Sequence, residues 1–279
     1  MSSDFDPLHR TGRLLAAATG SSPMKRNRVS VKGPTMSQRT LRISALATLL
    51  LVMGGVSAQA DETFTVRIEN VSAKDALKLS NGKTEPVEVA PVLYVIHTNR
   101  APLFTSGEPD RGKGLEALAE DGPPDPLAKS LKGQPGIVHV GFTDTPVGAG
   151  KPGGIWPGDA YEFKVTAKPG ERLTIATMFG QSNDLFYAPK EDGIALFDAS
   201  GKPVAGDVTS QILLWDAGTE VNEEPGLGPN QAPLQAAPNT GPAEHGVVRP
   251  IGEVKDGFHY PSVAEVLRVT ITPGPTAKP

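Results

Sequence analysis

Short apolar segments, most of two-residue period and each cut off by glycine or proline, run through this chain and leave little room for anything but β-structure. Phe64-Thr65-Val66-Arg67-Ile68 alternates apolar with polar side chains, the pattern of a strand buried on one face. Residues 92–96 are apolar throughout, which predicts a strand or short helix buried on both sides. Val138, Val140 and Phe142 alternate around His139 and Gly141. Residues 161–165 and 173–177 read as two strands of one hairpin, joined by the turn Lys168-Pro169-Gly170-Glu171. Residues 193–197 follow, with a turn at 198–202 and a continuation over 208–215. Residues 263–272 close the series with Leu267, Val269 and Ile271 on one face. Only residues 113–121 read as helical, with Leu115 and Leu118 on one side and Gly122 as the stop. Glycine (31) and proline (27) are spread through 279 residues, so turns are plentiful and long helices excluded. The pattern predicts a single all-β domain over residues 61–279, an antiparallel β-sandwich with one short helix and long Pro/Gly-rich loops. Two stretches stand out as such loops, 101–135 and 221–255. Loops of that length in a compact domain are functional or partly disordered.

Ahead of this domain the sequence carries an export signature. Arg39 and Arg42 precede an apolar run over 43–53, and Ala58 and Ala60 fit the small-x-small rule of a signal peptidase site. The run is shorter than the roughly 20 residues that span a bilayer. Residues 36–60 are therefore expected to be a signal peptide cleaved near Ala60, delivering the mature chain to the periplasm, the cell surface or the medium. Residues 1–35 are expected to be a misassigned or disordered extension, with Met36 as the natural start. Cysteine is absent. This rules out cysteine nucleophiles, thiolate zinc sites and iron–sulfur clusters, and fits a bacterial exported protein better than a disulfide-bearing eukaryotic one. With a net charge of −4 and no basic block in the mature part, nucleic acid is a poor partner. A protein or glycan at the cell surface is the expected class.

Most catalytic signatures fail on inspection. Gly148-Ala149-Gly150-Lys151-Pro152-Gly153 fits G-x-G-x-x-G, but Pro152 and Pro157 forbid the helix a nucleotide site requires. Gly180-Gln181-Ser182-Asn183-Asp184 lacks the second glycine of a nucleophile elbow, and His97, His139, His245 and His259 are not spaced as metal ligands. What remains is acidic. Trp215-Asp216-Ala217-Gly218-Thr219-Glu220 places two carboxylates four residues apart at the end of an apolar strand, and Gly218 lets the chain curl between them. Asp184 lies in a second strand-end loop. Two such loops can converge at one end of a sandwich, and hard oxygen donors in irregular geometry suit Ca²⁺ better than Zn²⁺. The rival reading makes Asp184 and Asp216 the acid and base of a periplasmic hydrolase or carbohydrate-active enzyme.

At these residues the chain resembles the spondin N-terminal-type domain, the module of F-spondin and mindin. The likeness is carried by Met178-Phe179-Gly180-Gln181-Ser182-Asn183-Asp184-Leu185-Phe186, by the segment 193–197, and above all by Leu214-Trp215-Asp216-Ala217-Gly218-Thr219-Glu220. Ala90-Pro91, His97, Leu103-Phe104, Gly107 and the segment 114–122 add to it. The resemblance implies a C2-like sandwich binding one Ca²⁺, with Asp184, Asp216 and Glu220 as ligands. It departs from the animal domains in ending the string with Glu220 rather than Asp, and in having Leu185-Phe186 where they carry a Trp. It also points to Glu120, at a position linked to adhesion in mindin-type domains, as a possible interaction residue. The function it implies is that of a non-enzymatic, exported calcium-binding sandwich, acting in adhesion or interaction at the cell surface or in the periplasm.

Overall fold

A computed structural model describes residues 61–275. The expected extension (1–35) and signal peptide (36–60) lie outside the described residues. The described chain is all-β, with antiparallel sheets and few helices.

One sheet has four strands. β1 (Glu62–Asn70) is flanked by β6 (Ala160–Ala167) and β13 (Leu267–Pro273), and β10 (Gly206–Asp207) pairs with β13 at one edge. The second sheet has seven. β12 (Arg249–Pro250), β11 (Ile212–Asp216), β8 (Leu185–Pro189), β7 (Arg172–Met178), β4 (Val92–His97) and β5 (Ile137–Thr143) follow in that order, with β9 (Ile194–Ala195) paired to β7. A small hairpin of β2 (Leu77–Lys78) and β3 (Thr84–Glu85) stands beside them.

The alternation in β1 is one-sided burial: Phe64, Val66 and Ile68 are fully buried, while Thr65, Arg67 and Glu69 are half-buried on the other face. These apolar residues, with Phe163 and Val165 of β6 and Val269 and Ile271 of β13, form the layer between the sheets. From the facing sheet come Val92, Ile96, Leu173, Ile175, Tyr187 and Leu214. The continuously apolar β4 is a strand buried on both faces. Val92 and Ile96 point into the sandwich, whereas Leu93 and Val95 point outward into a second core.

That second core is where the structure departs from a sandwich with a single helix. The anticipated helix is α1 (Leu115–Asp121), but α2 (Asp125–Leu131) joins it, and a short α3 (Val263–Val266) precedes β13. Leu115, Leu118, Leu127 and Leu131 pack against Leu93, Ala176, Phe186 and Trp215, so that α1 and α2 make a third layer. The prolines that argue against a helix at 123–126 occupy its start, where proline is tolerated. Helices α1 and α2 abut so closely that a Cβ on Gly114 (φ 102°) would sit 2.7 Å from the Leu127 backbone nitrogen.

The expected hairpin over 161–177 is a second correction. Its turn is present, with Glu171 N donating to Lys168 O at 3.0 Å, but β6 pairs with β1 and β7 with β4 and β8. The turn therefore carries the chain from one sheet to the other. Strand β7 is buried almost throughout, which a position in the four-stranded sheet, exposed on its outer side, would not allow. Likewise 208–215 does not simply continue the strand at 193–197. Residues 206–207 belong to the four-stranded sheet and Ile212–Asp216 to the other. Strand β5 lies at a sheet edge, and its alternating apolar residues are only partly covered: Val140 packs against the second core while Val138 and Phe142 are exposed. No helix among the described residues is long and apolar enough to cross a membrane.

Candidate metal centre

Strands β8 and β11 are antiparallel neighbours with Asp216 opposite Leu185, so the end of β11 meets the start of β8. Asp184, immediately before β8, therefore lies beside Asp216. The loop into it is a tight one. Phe179 N donates to Leu185 O (2.9 Å), and the Ser182 hydroxyl donates to Phe179 O (2.6 Å) while accepting from Leu185 N (3.1 Å). Trp215 fixes the other strand by donating from Nε1 to Ala188 O (3.0 Å) and packing its ring 4.7 Å from that of Phe104. Both aspartates are completely buried.

Beyond β11 the chain turns at Gly218 (φ 68°), where a Cβ would lie 2.6 Å from Val247 N and 2.7 Å from Val247 O. Only glycine meets both the positive φ and this contact. The approach lets residues 218–221 pair with 242–246: Gly246 N donates to Gly218 O (2.7 Å), Glu244 N to Thr219 O (2.9 Å) and Val221 N to Pro242 O (2.8 Å). The long Pro/Gly-rich loop thus delivers Glu244. Asp184, Asp216 and Glu244 each offer an oxygen within 4.8 Å of the others.

Glu220 is not part of this group. It bridges to Ala243, and successive side chains of extended segments point to opposite faces, so Glu220 and Glu244 diverge. Its carboxylate braces loops instead, accepting from Gly241 N at 2.8 Å and from Asn183 Nδ2 at 3.3 Å. Burial raises its pKa above the ordinary carboxylate range. Sequence spacing missed Glu244, which sits in a loop without periodicity. The one available signal was an acid with a basic partner, Arg249, inside a loop long enough to be functional.

The hydrogen bonds leave one oxygen spare on Asp184 and on Glu244 and engage both oxygens of Asp216. Asp184 Oδ2 accepts from the backbone nitrogens of Thr219 (3.1 Å) and Glu220 (3.2 Å), while its Oδ1 is buried without a partner. Asp216 Oδ1 accepts from Gly218 N (2.7 Å), and its Oδ2 accepts from Arg249 Nε (3.0 Å) and Asn222 Nδ2 (3.3 Å). Glu244 Oε1 accepts from Arg249 at 2.6 Å and its Oε2 is unpartnered, as is Asn222 Oδ1. Burial, and then repulsion from Asp216, push the Asp184 pKa well above its ordinary value. One guanidinium therefore faces three clustered carboxylates. Oxygen-only donors with spare buried lone pairs are what a hard cation takes.

Glu120 lies elsewhere, in the last turn of α1. It is 2% exposed, and burial raises its carboxyl to about 8. It is not a solvated helix-end carboxylate. A scan against protein-family models finds no match to this chain, and neither does a search of curated proteins.

Proposed function

We propose that this chain is an exported, non-enzymatic β-sandwich that binds a hard divalent cation, Ca²⁺ in the first instance, and works as an interaction module at the cell surface or in the periplasm. The observation that carries the metal reading is the convergence of Asp184, Asp216 and Glu244 on one point with buried oxygens left over. Asp184 and Glu244 would contribute their spare oxygens and Asp216 a remaining lone pair, with the Asn222 carbonyl as a neutral donor. Arg249 would keep holding the other oxygens in place. The ion would tie the 179–184 turn to the loops after β11 and before β12, giving the end of the sandwich a defined surface for a partner. Export into a compartment rich in free calcium is the setting in which such a site fills, and it is the export-like character of residues 36–60 that supports that address.

Calorimetry on the mature chain tests the reading. Wild type should take up Ca²⁺, and at several hundred-fold excess over the dissociation constant the ion should stabilise the fold by about 3–4 kcal/mol. Asp216→Asn should abolish both. No heat and no shift in melting at millimolar Ca²⁺ would refute it. Ca²⁺-independent turnover of a panel of glycosides and esters, lost in Asp184→Asn, would favour the hydrolase reading instead.

A further inference from the structure

We propose that a small pocket between β3 and the long Pro/Gly-rich loop docks a proline-rich, basic segment of a partner protein, with the Trp156 indole and the Gln181 side-chain amide as its recognition groups. The proposal rests on the interaction role given above and not on the ion.

A cavity of about 140 Å³ opens among Glu85, Pro86, Trp156, Gln181, Pro233 and Leu234. Its loop wall is anchored by Gln231, which is fully buried, accepts from Gly226 N at 2.7 Å and donates to Glu224 O at 2.7 Å. Gln181 is buried almost as deeply, at 4% exposure, but only half of its amide is engaged. Its Oε1 accepts from Glu88 N at 2.8 Å, which fixes the amide, because the nitrogen could not accept there. Nε2 has no hydrogen-bond partner among the described residues. Unlike Tyr187 Oη and the other orphaned atoms of the interior, it is not sealed from solvent. It is a pinned donor at the edge of the cavity. Trp156 and Leu234 are 41% and 54% exposed on the same rim. The Trp156 backbone is held on both sides by Asp159, its N donating to Oδ2 (3.1 Å) and its O accepting from Asp159 N (2.9 Å), while the indole Nε1 has no partner among the described residues.

Pockets for whole small molecules start at about 300 Å³, so this one takes a single ring of an extended ligand. Its walls are mostly apolar. The polar groups it offers are two N–H donors and the Glu85 carboxylate, with no basic residue in the lining. A sugar ring would need partners for hydroxyls all around its edge. A proline needs fewer: its ring lies against the indole, and the carbonyls of an extended proline-rich chain have no partners of their own and accept from the two donors. The uncompensated Glu85 takes a lysine or arginine beside the proline. Such a segment is already ordered before it binds, which limits the entropy lost.

The experiment titrates the mature chain, in chelator, with a blocked ten-residue polyproline peptide, the same peptide ending in arginine, and cello- and chito-oligosaccharides, read by calorimetry and tryptophan fluorescence. Both peptides should bind, the arginine form more tightly. Trp156→Ala, at an exposed position, should weaken both about tenfold. Gln181→Glu keeps the acceptor for Glu88 N, replaces the donor, and should cost about as much. Glu85→Gln should remove the advantage of the arginine form alone. Where Gln181→Glu does not fold, the other two variants decide. No binding of either peptide, or unchanged binding in Trp156→Ala, would overturn the proposal. So would oligosaccharide binding in place of peptide binding, or self-association that Trp156→Ala abolishes. None of these outcomes touches the calcium titration, and a failed calcium titration leaves the peptide result standing.

Discussion

Two buried polar side chains at different places in the sandwich, Asn70 and Asp184, are treated in opposite ways. Asn70 ends β1 and is 1% exposed. Its Nδ2 donates to Val87 O (2.8 Å) and Ile155 O (2.9 Å), and its Oδ1 accepts from Ser72 N (3.1 Å) and the Ser72 hydroxyl (2.6 Å). All the hydrogen-bonding capacity of the amide is engaged. Asp184 is just as buried, lies in the cluster with Asp216 and Glu244, and keeps its Oδ1 without a hydrogen-bond partner. The Asn70 amide closes its own hydrogen bonds, and the Asp184 carboxyl leaves one oxygen open beside two other acids.

The comparison breaks most visibly at Asn70. Asn70→Ala orphans the Val87 carbonyl and removes the acceptor of both Ser72 N and its hydroxyl, whereas Ile155 O keeps Val89 N, and it should cost about 3 kcal/mol. That loss, measured by denaturant unfolding, should be the same with calcium and with chelator. A calcium-dependent loss would mean the two regions are not separate.

Asp184→Asn should behave differently, changing sign with conditions. In chelator it removes a buried, repelled charge and should be neutral or stabilising by about 1 kcal/mol. In excess calcium it should fall below wild type by about 3 kcal/mol, because only wild type gains from the ion.

A smaller effect is expected from pH. The folded-state pKa values of Asp184 and Glu120 are raised, the latter from 4.5 to about 8. The folded, metal-free protein therefore holds more protons than the unfolded chain above the ordinary carboxylate pKa, through Glu120 up to about 8. Stability should be highest at the acidic end of that window and fall as the pH rises, with the Glu120 contribution spent above about 8. Melting curves in chelator would record this slope, and Glu120→Gln should flatten its upper part.

The smallest effect belongs to Glu220→Gln. Its carboxylate serves hydrogen bonds rather than the three-acid cluster, so about 1 kcal/mol should be lost with calcium affinity unchanged. A strong loss of affinity would return Glu220 to the ligand set.

The sandwich was legible because one-sided burial writes a period of two, as in β1, and two-sided burial writes a continuous run, as in β4. Pairing was harder to read. The turn at Lys168-Pro169-Gly170-Glu171 serves a hairpin and a sheet-to-sheet connection equally well, and only the burial of both faces of β7 decides between them. Helix α2 was hidden because its prolines mimic a loop. At the site, Asp184 and Asp216 could be found because they sit at the ends of apolar strands that neighbour one another. Glu244 arrives through contacts of the 218–221 segment with 242–246, which depend on the close approach at Gly218 and leave no mark in spacing. Asn70 gave no signal either, since its role is defined entirely by carbonyls distant in sequence.

Diffraction from crystals of the mature chain grown with Ca²⁺, or with Mn²⁺ for its anomalous signal, tests the central claim most directly. An ion should appear about 2.3–2.6 Å from oxygens of Asp184, Asp216 and Glu244 when Ca²⁺ is bound, with Arg249 still on Asp216. An ion held through Glu220 in place of Glu244, or only water among the three carboxylates, would contradict it.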